Sequence, residues 1–385
     1  MSMRDRLNTA LFTAKRSAIR EFSNLAAQIP DCVRLTLGEP DFDTPFPIRS
    51  AVPAALDAGK THYIANNGVP ALRGAIAAYE RETHGLDYAP EDVIVTAGAT
   101  EALFVALFGI LNPGDEVIIP KPGFVLYEQI VNLSRGVAVT LETTAHDFQI
   151  RREALEACVT DRTKAIILNS PNNPTGAVYD RESLEAVYGL VRDREIFVVC
   201  DDVYRSLCYT GDYHSFAEYG DLREKLLVVQ SFSKSWAMTG WRMGWLLADA
   251  SVRERLELIH QFMVTSTPAP FQDAAIAALR VDPAPMAEEY RQRRELVLAR
   301  LRGMGLELTA PDGAFYVFPS IARYGMRSME FCTRLLTEAH VAVTPGSAFG
   351  ADDRIRLSYC CGRETLALGL DRLARFLGTL EDDHA

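Results

Sequence analysis

Between residues 92 and 247 the chain alternates short apolar runs with stretches of helical periodicity, and it does so seven times. The runs are DVIVTAG (92–98), DEVIIP (115–120), AVTLE (138–142), KAIILNSP (164–171), IFVVCDD (196–202), LLVVQSF (226–232) and GWLLAD (244–249). A short continuous apolar run suits a strand buried on both faces, and helical segments between such runs supply the layers that bury it. The pattern predicts an α/β fold: a mostly parallel seven-stranded sheet with helices on both faces. Thirteen residues separate LLVVQ (226–230) from GWLLA (244–248). That is marginal for a helical crossover, so these two strands are expected as antiparallel neighbours.

After residue 264 the character changes. VTSTPAPFQ and VDPAPM are proline-rich breaks, followed by a charged helical stretch over 286–305, then FYVFPS, a helix around 328–340, VAVTPG, RIRLSY and a final helix. This alternation predicts a smaller α+β domain. The first forty residues are too few to fold alone and are expected to pack onto it. The expected division is a large domain over 45–280 and a small one from 1–44 with 281–385. The basic RQRR (291–294) reads as a solvated helix face.

Composition excludes several classes of function. A net charge of -11 argues against nucleic acid as a main partner, because phosphate backbones require concentrated Lys and Arg. Any anion site must be local. The seven cysteines are odd in number and contain no CxxC, which argues against a disulfide framework or a zinc site and fits a reducing compartment. The longest strongly apolar run, ALFVALFGIL (102–111), is half a membrane span, and the N-terminal sequence has no signal-peptide core. A cytoplasmic protein with no membrane partner is expected.

Ligands of open α/β sheets collect at the carboxyl ends of strands, so the run ends are where chemistry is sought. IFVVC ends in Asp201 and Asp202. KAIILNS ends in SPNNPTG (170–176), whose asparagines and threonine offer side-chain hydrogen bonds. DVIVTAG leads through GATEAL (98–103) directly into a helix, whose first N–H groups form an anion site by geometry and dipole. LLVVQ ends in SFSKSWAMTGWR (231–242), with Lys234 and Arg242 eight positions apart among hydroxyls and aromatics. Taken singly, each reads equally as a surface turn or a solvated cation.

Together they match the needs of pyridoxal phosphate. The phosphate requires backbone N–H groups, hydroxyls and an arginine. The pyridine nitrogen requires a carboxylate, the ring oxygen an amide or phenol donor, and the aldehyde a lysine. No GxxxxGK[ST] or GxGxxG is present to indicate a nucleotide instead.

The ordered motifs GEPDF (38–42), NNPTG, DDVY, SFSKSWAMTGWR and RIRLSY resemble the fold-type I pyridoxal-phosphate aminotransferases of class I/II, over most of the chain. The resemblance implies an aspartate-aminotransferase-like large domain and assigns roles by position. Lys234 is similar to the Schiff-base lysine, Asp201 to the partner of the pyridine nitrogen, and Tyr204 with Asn173 to the donors to the ring oxygen. Ala99 and Thr100 match the backbone phosphate cradle, and Ser231 and Arg242 its side-chain donors. Phe124 in KPGFVLY falls where the family stacks an aromatic on the ring; tyrosine is common there, so a hydroxyl is lost. Gly38 and Arg356 match the groups that hold the substrate α-carboxylate, with Asn173 beside them. Tyr63 in THYIANNG matches a tyrosine that reaches the neighbouring subunit's phosphate, which implies a homodimer. No metal is implied.

The expected activity is amino-group transfer from an L-amino acid to an oxo acid, with 2-oxoglutarate the expected acceptor. The likeness of DGAFYVFPS (312–320) and TPGSAFG (344–350) to amino-group transfer enzymes favours this over the same-fold alternative, a carbon–sulfur β-lyase, which starts from the same carbanion. An effector-sensing transcription regulator would carry an N-terminal DNA-binding domain, and about forty residues precede GEPDF here. The subgroup most resembled contains N-acetyl-diaminopimelate and aromatic aminotransferases. Phe12, Phe22, Ile64 and Phe124 are candidates for an apolar approach to the ring.

Overall fold

The structure, a computed structural model, describes residues 2–14, 18–211 and 213–382. Its strands in chain order are β1 (Val33–Arg34), β2 (Val93–Thr96), β3 (Glu116–Lys121), β4 (Val137–Glu142), β5 (Thr163–Asn169), β6 (Phe197–Asp201), β7 (Leu226–Ser231), β8 (Gly244–Ala248), β9 (Tyr316–Val317), β10 (Val341–Ala342), β11 (Thr344–Pro345) and β12 (Ile355–Ser358). All seven apolar runs became strands of one seven-stranded sheet, in the order β2-β8-β7-β6-β5-β3-β4. Pairing is parallel from β7 through β4, whereas β8 lies antiparallel between β7 and β2. The short connection between β7 and β8 produced the antiparallel pair expected of it.

Register decides what the sheet presents at one end. Asn169 lies beside Asp201 across β5 and β6. Ser231, at the end of β7, faces Gly244, and Gly244 faces Thr96 at the end of β2. The carboxyl ends of β2, β5, β6 and β7, with the amino end of β8, are therefore gathered along one edge. Both faces of the sheet are covered: helix Ala99–Ile110 packs on one with its apolar residues buried nearly all round, while Leu72, Ile76, Leu184 and Val187 belong to the core on the other. Helix Pro70–His84 shows local logic, with Pro70 in its first turn and Gly85 left-handed at φ 67° where it stops.

A second core lies outside this sheet. Phe22, Val33 and Leu35 from the N-terminal region bury with Tyr290, Leu301, Phe315, Phe331, Leu335 and Leu370. β1 pairs in parallel with β10, so the N-terminal segment does join the C-terminal elements. Strands β11, β12 and β9 form a three-stranded antiparallel sheet, with Thr344 opposite Arg356 and Ser358 opposite Tyr316.

The reading of RQRR as a solvated face needs correction. Arg291 is exposed and pairs with Glu288, but Arg293 is buried, donating to Asp41 Oδ1 at 2.7 Å and Glu289 Oε1 at 2.9 Å. Asp41 lies 252 positions away in GEPDF. An ion pair of that reach ties the helix Ala284–Gly303 to the segment leading from Gly38. No helix among the described residues is long and apolar enough to cross a membrane.

Candidate active site

At the gathered strand ends lies a cavity of about 240 Å³. Gly38, Ala99, Thr100, Phe124, Asn173, Asp201, Tyr204, Ser231, Lys234, Arg242 and Arg356 all line it. Of the residues expected to hold cofactor or substrate, Tyr63 stands apart, 90% exposed on the loop before helix Pro70–His84. Of the other apolar candidates only Phe124 reaches the cavity. Phe22 is spent on the second core, Phe12 is half exposed on a 3-10 turn, and Ile64 lies outside.

One end of the cavity is built for an anion. Gly98 adopts φ 79°, a left-handed turn that delivers the chain into helix Ala99–Ile110. The Arg242 guanidinium lies against that glycine, so any Cβ there would collide with it. Arg242 is itself left-handed at φ 54° and donates to the Thr239 carbonyl at 3.0 Å and the Ala97 carbonyl at 3.3 Å. Ser231 caps the short helix Phe232–Ser235, its Oγ accepting from the Ser233 N–H at 3.0 Å and bonding Ser233 Oγ at 2.8 Å. A helix N-terminus, a guanidinium and two hydroxyls thus converge, the arrangement a phosphate dianion requires.

The middle holds a lysine and a carboxylate. Lys234 Nζ donates to the Gly38 carbonyl at 2.6 Å, and burial lowers its pKa to about 8. It is not a solvated loop cation. Burial raises Asp201 to about 6, although the Tyr127 hydroxyl, the Val203 N–H and Lys234 pull the other way. Tyr127 Oη donates to Asp201 Oδ2 at 2.6 Å. Asp201 Oδ1 is buried with no partner among the described residues. A carboxylate oxygen left unpaired in the interior is costly unless a donor completes it, and a protonated pyridine nitrogen is such a donor.

The other end presents a buried guanidinium. Arg356 is 2% exposed, donating from Nη1 to Asn173 Oδ1 at 2.7 Å and from Nη2 to the Thr36 carbonyl at 2.5 Å. Its guanidinium lies 4.5 Å from the Tyr316 ring centroid and 4.8 Å from that of Phe349. Burial lowers its pKa from the ordinary arginine value, but neighbouring phenols act against this.

Ser233 and Thr239, hydroxyls of SFSKSWAMTGWR, also line the cavity, as do Tyr127, Asn169 and Tyr316, which the sequence reading did not single out. Tyr127 lies three positions after Phe124 in the quoted KPGFVLY, and Tyr316 lies within the quoted DGAFYVFPS. In both cases the motif was quoted for another reason and the phenol was not singled out.

A lysine, a carboxylate short of one donor and an anion cradle, aligned at the carboxyl ends of a sheet of this order, fit pyridoxal phosphate and define the fold class of the enzymes that use it. The model of the family described as aminotransferase class I and II matches residues 30–373, and the chain belongs to that family. A probable N-acetyl-LL-diaminopimelate aminotransferase of Bacillus subtilis is 40% identical over 94% of this chain and 93% of its own. The aspartate aminotransferase of Pyrococcus horikoshii is 38% identical over 94% and 95%. The crystal structure of aspartate aminotransferase from Thermotoga maritima superposes with a TM-score of 0.93 at 36% identity, covering 97% of this chain and all of that one. This chain is a pyridoxal-phosphate-dependent aminotransferase.

Proposed function

We propose that Lys234 Nζ carries the aldehyde carbon of pyridoxal phosphate and moves the substrate proton, while the chain's other cavity residues hold the cofactor from both ends. The observation that carries this reading is the pairing in one cavity of a buried amine near pKa 8 with a carboxylate oxygen that lacks a donor. Arg242, Ser231, Ser233 and the N–H groups at Ala99 and Thr100 would take the phosphate. Asp201 would face the ring nitrogen, Tyr204 and Asn173 the ring oxygen, and Phe124 the ring face. Bound there, the cofactor supplies an electron sink for the pair left when the substrate Cα–H bond is broken.

The chain's residues supply the rest. Arg356 fixes the substrate α-carboxylate as a planar fork, backed by Asn173 and assisted by Gly38. With its pKa brought down near neutrality, Lys234 has a neutral fraction able to take the proton from Cα and return it. At pH 7, a pKa of about 6 leaves Asp201 ionised by about ten to one, so it presents a charge where a ring cation belongs.

Several finer assignments belong to the same reading. The amino donor is an aromatic or N-acylated diamino acid, and 2-oxoglutarate is the acceptor. The enzyme is a cytoplasmic homodimer in which the exposed Tyr63 reaches the neighbouring cavity. Residues 45–280 act as the large domain, and 1–44 with 281–385 as the small one; the two separate cores support this division. Borohydride reduction of the holoenzyme followed by peptide mapping tests the central claim. The cofactor mass should sit on Lys234, and a tag on Lys121, Lys164 or Lys225 would overturn it.

A further inference from the structure

Tyr316 touches three of the groups just given roles, on three separate segments of the chain. Its hydroxyl lies 2.8 Å from that of Tyr204, both buried. Its ring lies beneath the Arg356 guanidinium at 4.5 Å. At Gly38, whose carbonyl accepts from Lys234, an added Cβ would fall inside the Tyr316 hydroxyl. The strands fix this position: Tyr316 in β9 pairs with Ser358 in β12, two residues beyond Arg356.

We propose that Tyr316 is a positioning residue that serves the two ends of the reaction by different atoms, its hydroxyl through Tyr204 and its ring through Arg356. The proposal rests on the cofactor placement given above. If the Tyr204 hydroxyl donates to the cofactor's ring oxygen, its own oxygen must accept from Tyr316, because each phenol has one proton to give. A phenol that receives a hydrogen bond is a stronger donor in turn. Tyr316 thereby favours negative charge on the ring oxygen. Its ring, independently, offers the guanidinium an aromatic face and holds the fork flat toward the cavity.

The two roles separate experimentally. Tyr316→Phe removes the hydroxyl and keeps the ring; Tyr316→Leu removes both. The pH midpoint of the bound cofactor's absorbance reads the first role. Weakening a donor that stabilises negative charge disfavours the deprotonated form, so the midpoint should rise by about 0.5 unit in Tyr316→Phe. In a Tyr204→Phe background the same substitution should move it no further, since coupled sites are non-additive. The second role is read by the dissociation constant of the unreactive carboxylate 3-phenylpropionate. Tyr316→Phe should leave it within about twofold of the unaltered protein, and Tyr316→Leu should raise it by about fivefold or more.

An unmoved midpoint, an equal shift in the Tyr204→Phe background, or equal 3-phenylpropionate affinity in the Phe and Leu variants would overturn the proposal. If Tyr316→Leu does not fold, the Phe cycle decides alone. Borohydride tagging of the unaltered holoenzyme distinguishes the levels of failure. A tag on Lys234 with an unmoved midpoint sinks only the role of Tyr316, whereas a tag elsewhere sinks the cofactor placement and this inference with it.

Discussion

Tyr127 gives its hydroxyl proton to one oxygen of Asp201, while the other oxygen has no partner among the described residues. The pair thus holds a buried carboxylate in a fixed orientation while keeping a single acceptor open. Asp201 has a folded pKa raised from 3.8 to about 6, chiefly by burial. A carboxyl group so raised contributes most to stability below its ordinary value, and that contribution is lost as pH rises through about 6. At pH 8, ionised Asp201 therefore costs the cofactor-free protein about 3 kcal/mol. Asp201→Asn should melt at a higher temperature than the parent at pH 8, with little difference at pH 4, while losing most of its transamination rate. A variant that is no more stable at pH 8, measured by thermal melting without cofactor, would contradict this account of the carboxylate.

The Tyr127 bond pulls the Asp201 pKa down, so removing it should raise that pKa further. On the proposed placement cofactor binding needs the ionised carboxylate, so it should weaken as pH falls through the Asp201 pKa. In Tyr127→Phe this acid limb should move up by about one pH unit, the value of one hydrogen bond to a charged group. Absorbance titration of the cofactor-free protein with pyridoxal phosphate at several pH values would detect it. An unmoved limb would mean the bond orients Asp201 without setting its charge.

Among the described residues Arg242 hydrogen-bonds only to backbone carbonyls, at 3.0 and 3.3 Å, and lies against Gly98. Loss of one charged donor to a phosphate costs about 1.5–3 kcal/mol. Arg242→Ala should weaken cofactor retention by about ten- to one-hundredfold, seen by dialysis, with Lys234 still the tagged residue. Unchanged retention would remove Arg242 from the cradle.

Much of this was legible because the large sheet is buried on both faces. Such strands read as plain apolar runs, and the polar residue that ends each run, such as Asp201 or Ser231, is conspicuous against them. Lys234 was legible only in company, since nothing local shows that SFSKSW is buried. Tyr127 and Tyr316 were missed for the opposite reason. A phenol in an apolar context looks like core, and its hydroxyl's partner is set by tertiary structure: Asp201 lies 74 positions from Tyr127, and Tyr204 lies 112 from Tyr316. Arg293 was misread likewise, because its helix shows a charged face and the burying carboxylate, Asp41, belongs to a distant segment.

His260 is buried with both ring nitrogens engaged, Nδ1 with Glu101 Oε1 at 2.7 Å and Nε2 with the Asn66 carbonyl at 2.6 Å. A carboxylate and a carbonyl at the two nitrogens both favour the doubly protonated ring. Burial opposes the charge, but the Glu101 carboxylate and the carbonyl outweigh it and raise the pKa above 6.5. A raised histidine contributes stability that is full below its ordinary value and is lost as pH rises through the folded one. The melting-temperature advantage of the parent over His260→Leu should therefore shrink between pH 6 and pH 9. A gap that widened with pH would show the ring to be neutral.

Tyr63 is too exposed to serve its own chain's cavity. Inactive Tyr63→Ala and Lys234→Ala subunits, mixed and allowed to exchange, should regain about a quarter of parental activity. In the proposed homodimer half of the pairs are then mixed, and each has one intact site. No recovery after confirmed exchange would exclude a shared site.

The amino donor follows from how the cavity's cations are committed. Lys234, Arg242 and Arg356 line it, and the proposed function assigns them to the aldehyde, the phosphate and the α-carboxylate. Leu103, Phe124, Leu126, Val203 and Tyr316 supply apolar or aromatic wall. Aspartate must bring a second carboxylate into that setting close to the reacting carbon, where an unpaired charge is strongly disfavoured; 2-oxoglutarate carries its far carboxylate one methylene farther out, where a mobile polar group must meet it. An aromatic side chain or an N-acylated one gains from burial instead. Specificity, as kcat/KM, should favour an aromatic or N-acylated diamino acid donor over aspartate by at least about tenfold, or about 1.4 kcal/mol. Relatives named for aspartate, aromatic and N-acetyl-diaminopimelate substrates all share this fold, so the fold itself does not choose. The measurement is a donor panel at saturating 2-oxoglutarate. Equal efficiency with aspartate would show that a distal cation enters the site in the assembled enzyme, and the first place to seek it would be the neighbouring subunit.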